Sequence, residues 1–179
     1  MPEEDVLNSG PLFEQLKRLY KRSQEIRGSI LDQAIWIERI IEDIIAYEFF
    51  PDEVEQDKRM RLISFILNIR DLTFSSKVDA LEKLLKMRHS NIIYNHPALL
   101  PTLNKVRKLR NRLAHSALDT SEEFLAKHHE DRIQIFFYED GREKKQVLTL
   151  QEIHKRLEEC SKVIQELIAV KNEVKVDTK

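Results

Sequence analysis

Cysteine, glycine, proline and tryptophan are the scarce residues of this sequence, at one, three, five and one respectively. A lone Cys160 excludes an internal disulfide and a cysteine-built zinc site, and a reducing, cytoplasmic setting is the expectation that follows. So little glycine and proline leaves few long loops. No glycine-rich loop is present to cradle a phosphate, so nucleotide hydrolysis has no support. No stretch approaches twenty uncharged apolar residues, so no membrane span is expected. The N-terminus, Met1-Pro2-Glu3-Glu4-Asp5, is acidic and lacks the apolar run of a signal peptide. His128-His129-Glu130-Asp131 holds metal-capable groups, but consecutive residues rarely converge on one ion. Neither a metal site nor a cofactor is expected.

What is present is an ordinary soluble composition. Hydrophobic residues make up 41% and charged residues 34% of 179 residues, enough for one domain over 1–179 with its own core. The net charge of −1 hides an uneven distribution. Between Lys83 and Leu118 there is no acid, whereas Lys83, Lys86, Arg88, Lys105, Arg107, Lys108, Arg110 and Arg112 are all basic. The rest of the chain is therefore clearly acidic. Such a flank fits a local polyanion site, and it also fits a merely solvated basic face.

Apolar periodicity predicts an all-α helical bundle. Leu12–Arg22 reads as a short amphipathic helix, and Ile26–Phe50, the most hydrophobic segment, as a long central one ended by Pro51. A third helix is expected near Lys58–Ile69. A fourth is expected after a Ser75 or Ser76 cap with Asp79 as its partner acid. A polar loop with Asn91, Asn95, His96 and Pro97 leads to a basic helix, Pro101–Ala117, with Pro101 in its first turn. One short helix starts near Asp119. The β element is a small hairpin appendage at about 132–150, turning at Asp140-Gly141. Thr149 and Glu152 make a capping box for the C-terminal helix, whose tail, 172–179, is expected to fray. Trp36 and Phe136-Phe137 read as core or interface, because no basic residues are interleaved with them. His89 and His96 read as local hydrogen-bond formers.

On the basic helix, at about 100° per residue, Leu103, Val106, Leu109, Leu113 and Ala117 share the core arc. Lys105 and Arg112 lie opposite, toward solvent. Asn104, Lys108, Asn111 and His115 share one flank, with Asn111 and His115 one turn apart. Arg110 falls within the apolar arc, about 140° round from His115. Two arrangements are open. Arg110 pairs internally with an acid such as Glu38, Glu42 or Asp43, or Arg110, Asn111 and His115 surround one phosphate. The second supports metal-free cutting of RNA. A histidine, with an ordinary pKa of about 6.5, moves a proton at the ribose 2′-hydroxyl or the leaving 5′-oxygen. Arginine binds the phosphate oxygens as charge builds. One helix offers one such histidine, and two copies across a two-fold axis would offer an acid and a base.

Arg110-Asn111-Arg112-Leu113-Ala114-His115 resembles the R-N-x-x-x-H motif of the HEPN superfamily, helical bundles whose members are often metal-independent ribonucleases acting as dimers. Arg27-Gly28, Leu72-Thr-Phe-Ser-Ser-Lys77 and Val106–Ser116 are similar to blocks in HEPN-like relatives that include the mannitol operon repressor family, where nuclease activity is not the assigned role. The resemblance implies an HEPN-like bundle in which Arg110 and His115 are the catalytic pair and Asn111 assists. Lys105, Lys108 and Arg112 are read from position as RNA phosphate contacts. The function expected is a homodimeric endoribonuclease of toxin or antiviral type, with RNA as ligand and a cognate antitoxin or regulatory protein as a further partner. The alternative is a non-catalytic transcriptional regulator or protein-interaction module. A sequence-specific DNA-binding repressor is weaker, for want of a helix-turn-helix pattern.

Overall fold

The computed structural model describes residues 10–69, 72–126 and 131–177. These residues form seven α-helices and one small antiparallel sheet of three strands, a mostly helical protein with a β-hairpin. Among them no helix is long and apolar enough to cross a membrane.

The two helices expected at the start are one, α1 (Pro11–Phe49), of 39 residues. Leu19, Ser23, Ile26, Ile30, Ala34, Ile37, Ile41 and Ile44 are buried at steps of three and four, so a single stripe runs through the join. Ser23 is the link that hydropathy hides: it is polar, yet small enough to stay on the buried side. The backbone N–H of Phe50 donates to Ala46 at 3.0 Å, and Pro51 stops the helix. Trp36, expected in the core or at an interface, is 60% exposed on α1 away from the stripe, which rules out the core position.

After a 3₁₀ turn, α2 (Gln56–Leu62) passes into a π turn, Ile63–Leu67, closed by Asn68 N–H donating to the Ile63 carbonyl at 2.8 Å. Leu67 is buried there, whereas Met60 is exposed. Thr73, rather than Ser75 or Ser76, caps α3 (Phe74–Arg88), its side chain accepting from Ser76 N–H at 3.3 Å. Asp79 instead takes a hydrogen bond from Arg107 at 2.7 Å. The expected loop holds a short helix, α4 (Ser90–Asn95). The basic helix is α5 (Leu99–His115). It stops two residues early, and Ala117–Leu118 is strand β1. Helix α6 (Glu122–Ala126), strands β2 (Arg132–Glu139) and β3 (Arg142–Thr149) and helix α7 (Leu150–Asp177) follow. The stretch from Asn172 to Asp177, expected to fray, is the last part of α7. His128, His129 and Glu130 lie outside the described residues.

The chain forms two compact units. One contains the residues up to Leu31 with Asn111–Leu157; the other contains Asp32–Arg110 with Glu158–Lys179. In the second, Ile37, Ile41 and Ile44 cluster with Val78, Leu81, Leu85, Ile92, Leu103 and the α7 row Cys160, Val163, Leu167, Val170 and Val174. Lys77 is buried beside this core. Its amine donates to Glu38 and Glu42, each at 2.5 Å, which meets the need of a buried cation for paired acids. His89 and His96 make local backbone hydrogen bonds, and their rings also bond across the unit, to Glu48 and Glu173, each at 2.8 Å.

In the first unit the sheet order is β1-β2-β3. Asp140 and Gly141 take φ of 54° and 71°, the left-handed pair that a two-residue hairpin turn requires. The resulting register sets Ile133 opposite Leu148 and Phe136 opposite Lys145. Ile133, Ile135 and Phe137 are therefore buried on one face, with Arg132, Gln134 and Phe136 half-buried on the other. β1 and β3 are the edges of the sheet, and Arg142, Glu143, Lys144 and Lys145 on β3 are exposed. The capping box holds: Thr149 N–H donates to Glu152 at 2.9 Å, and Glu152 N–H to the Thr149 hydroxyl at 3.2 Å.

Candidate active site

Helix α5 carries all six residues singled out in the sequence. Lys105 and Lys108 are exposed, Arg110, Asn111 and Arg112 are half-buried, and His115 is exposed at the last helical position. Asn111 and His115 are one turn apart on the same side. The boundary between the units falls between Arg110 and Asn111. Arg110 is half-buried, as its place in the apolar arc required, and both Arg110 and Asn111 are engaged in the fold. The acids considered as partners for Arg110 all serve amines: Glu38 and Glu42 hold Lys77, and Asp43 holds Lys171 at 2.5 Å.

Arg112 departs from expectation. It was placed opposite the core, facing solvent, yet its guanidinium donates to Glu139 at 2.9 Å and sits 5.0 Å above the Phe137 ring. The cause is tertiary: the hairpin brings an acid and an aromatic ring to a helix face that periodicity treats as open. Lys144 donates to the other Glu139 oxygen at 2.5 Å. Lys144 first and Arg112 second hold the Glu139 carboxyl at about 2, well below the ordinary 4.5. Arg112 binds a phosphate only by sharing or leaving this pair. Phe137 is buried, as a core residue should be, but the expected lack of basic neighbours is corrected: Arg112 stands over Phe137, and Lys145 lies 4.8 Å above the half-buried Phe136 ring.

Sequence reasoning named Arg27 only as part of a similar block and gave it no role. In the structure its Nη2 donates to both the carbonyl and the hydroxyl of Ser116, at 3.0 and 3.1 Å. Ser116 directly follows His115, so a guanidinium is fixed at the C-terminal end of the motif. No carboxylate among the described residues pairs with Arg27, and its Nε is buried without a hydrogen-bond partner. Burial pulls its pKa below the ordinary value. The helix end supplies only carbonyl dipoles as partial compensation. A signal was present: Arg27 lies four residues after Ser23 and three before Ile30, beside the buried stripe, with no acid at three or four positions either way.

Chemically, the end of α5 in the first unit offers an exposed imidazole, an amide one turn before it, and the Arg27 guanidinium held at Ser116. This set can exchange a proton and bind a phosphate diester. No protein-family model matches the chain, and neither a curated protein nor a solved structure does.

Proposed function

We propose that the chain is a metal-independent endoribonuclease of HEPN type, cutting cytoplasmic RNA as a homodimer with a composite site. The observation that carries this reading is the exposed His115, one turn from Asn111 and one residue before the Ser116 that Arg27 holds. In the proposed reaction a histidine takes the proton of a ribose 2′-hydroxyl, whose oxygen attacks the adjacent phosphorus. The bond to the 5′-oxygen breaks, and a second histidine gives that oxygen its proton. The products are a 2′,3′-cyclic phosphate and a 5′-hydroxyl. One copy brings one such histidine, so the acid and the base are His115 of two copies. Arg110 and Arg27 stabilise charge on the phosphate, Asn111 orients the imidazole or a ribose oxygen, and Lys105 and Lys108 hold neighbouring phosphates. A toxin or antiviral role with a cognate antitoxin belongs to the same reading.

The test is RNA cleavage in EDTA by the wild type and His115→Ala at matched folded concentration. Cyclic phosphate ends from the wild type, and none from the variant at unchanged melting temperature, are expected. Equal cleavage by both identifies a contaminant and ends the proposal. A second reading, a non-catalytic regulator or interaction module, is favoured by the engagement of Arg110 and Asn111 in the fold and by the Arg112–Glu139 pair. It expects no cleavage of any RNA, and a lower melting temperature in Arg110→Ala.

A further inference from the structure

The half-buried face of the sheet carries a cleft of about 270 Å³, floored by Arg132, Gln134, Lys145 and Val147 and walled by residues between Asp119 and Phe124. Its volume falls below the range of about 300–1,000 Å³ usual for drug-sized ligands, so it suits one small unit of a longer molecule. Asp119 is tied into the wall of the cleft. It is 3% exposed, and its two oxygens accept from Ser121 N–H at 2.9 Å and Gln134 Nε2 at 2.6 Å. The two cations are less well served. Lys145 lies over the Phe136 ring and pairs with no carboxylate among the described residues. Arg132 Nε makes an ion pair with the mostly exposed Asp131 at 3.5 Å, and this nitrogen is buried without a hydrogen-bond partner.

The cations Arg132 and Lys145 beside the apolar Val147 match a nucleotide: a phosphate for the two cations and a base face for the apolar side chain. Tyr138, two residues along β2 from Phe136 on the same face, is 74% exposed and offers a ring to the next base. The floor strand β2 is paired to β1, with Ala117 opposite Phe136, only two residues beyond His115. We infer that this cleft binds one nucleotide of single-stranded RNA outside the bond that is cut. The inference rests on the RNA reading above and adds to it a second contact region and a preference for unpaired bases. Aromatic stacking needs splayed bases, which a duplex does not present.

The test is fluorescence anisotropy of the full chain in EDTA with a labelled single-stranded 2′-O-methyl oligoribonucleotide, which lacks the attacking hydroxyl. Lys145→Gln is exposed and should fold as wild type. It is expected to weaken binding and to reduce the slope of log Kd against log salt by about 0.7, the value for one lost single-strand phosphate contact. Arg132→Gln is expected to act in the same direction, and Tyr138→Ala to weaken binding at least fivefold with the slope unchanged. Competition by unlabelled oligonucleotide, and none by adenosine monophosphate or inorganic phosphate at the same concentration, is the supporting pattern. Displacement by the mononucleotide alone, equal binding of duplex, or unchanged affinity and slope in the folded Lys145→Gln variant overturns the inference. If the variants lose binding while the wild type never cleaves, the nuclease reading falls and the cleft stands. If cleavage persists with binding unaltered, the reverse holds.

Discussion

Arg27 and Ser116 meet through one guanidinium nitrogen that donates to both the carbonyl and the hydroxyl of the serine, at 3.0 and 3.1 Å. The contact fixes the chain where α5 ends and sets next to His115 a cation that has no carboxylate partner among the described residues. Arg27→Gln is expected to lower kcat about 10²-fold, the scale for one lost donor to a developing oxyanion, and stability by about 1–2 kcal/mol. Arg27→Lys keeps the charge but not the fork and recovers only part of kcat. Single-turnover cleavage beside thermal melts separates the effects, and a Gln variant with full kcat and only a lower melting temperature makes Arg27 a helix cap and nothing more.

Glu139 supplies the acid-side prediction. Its folded carboxyl is held at about 2 against an ordinary 4.5 by Lys144 and Arg112. The folded state thus binds this proton less readily, so the stabilising contribution is present above pH 4.5 and is lost as pH falls toward 2. Glu139→Gln removes that dependence. Urea midpoints across this range should fall less steeply for the variant than for the wild type, and parallel curves would refute the assignment.

The Lys77 amine predicts the opposite pH limb. Burial opposes its charge, and Glu38 and Glu42 outweigh burial, so its pKa is raised above 10.5. Its contribution is present below 10.5 and is lost only as alkaline pH passes the folded value. Lys77→Met strands two acids together and is expected to cost about 3–5 kcal/mol in denaturant unfolding, with part recovered when the acids are protonated at low pH. A cost below about 1 kcal/mol, the range of an exposed pair, contradicts the buried triad.

At the start of α7, Thr149→Ala is expected to cost about 1 kcal/mol, since the loss leaves Glu152 N–H without its hydroxyl. Glu152→Ala should cost a similar amount, and the double variant less than the sum, because the two hydrogen bonds form one box. Additive losses in a double-mutant cycle would count against the reciprocal cap.

Features set by neighbours in sequence were legible. Asp140-Gly141 declared its turn through backbone freedom, Thr149 and Glu152 their box through spacing, and α5 its flank through the 3.6-residue period. Features set by distant partners were not. Arg112 finds Glu139 27 residues on, and Asp79 finds Arg107 28 residues on, so neither could be read from its own helix. Ser23 broke an apolar pattern that the backbone does not break. The six positions on α5 were visible in advance, whereas Arg27 needed the fold to bring Ser116 to it.

The outer edge of β3 bears on how two copies can meet. A strand with unpaired N–H and C=O groups invites another strand, yet the exposed Arg142, Glu143, Lys144 and Lys145 in succession put charge on both sides of any added pairing. Over these four positions a docking strand would have to strip water from a charged group at each step. Sheet extension along this half of the β3 edge is thereby penalised, so the proposed two-fold pair is expected to meet through other surface.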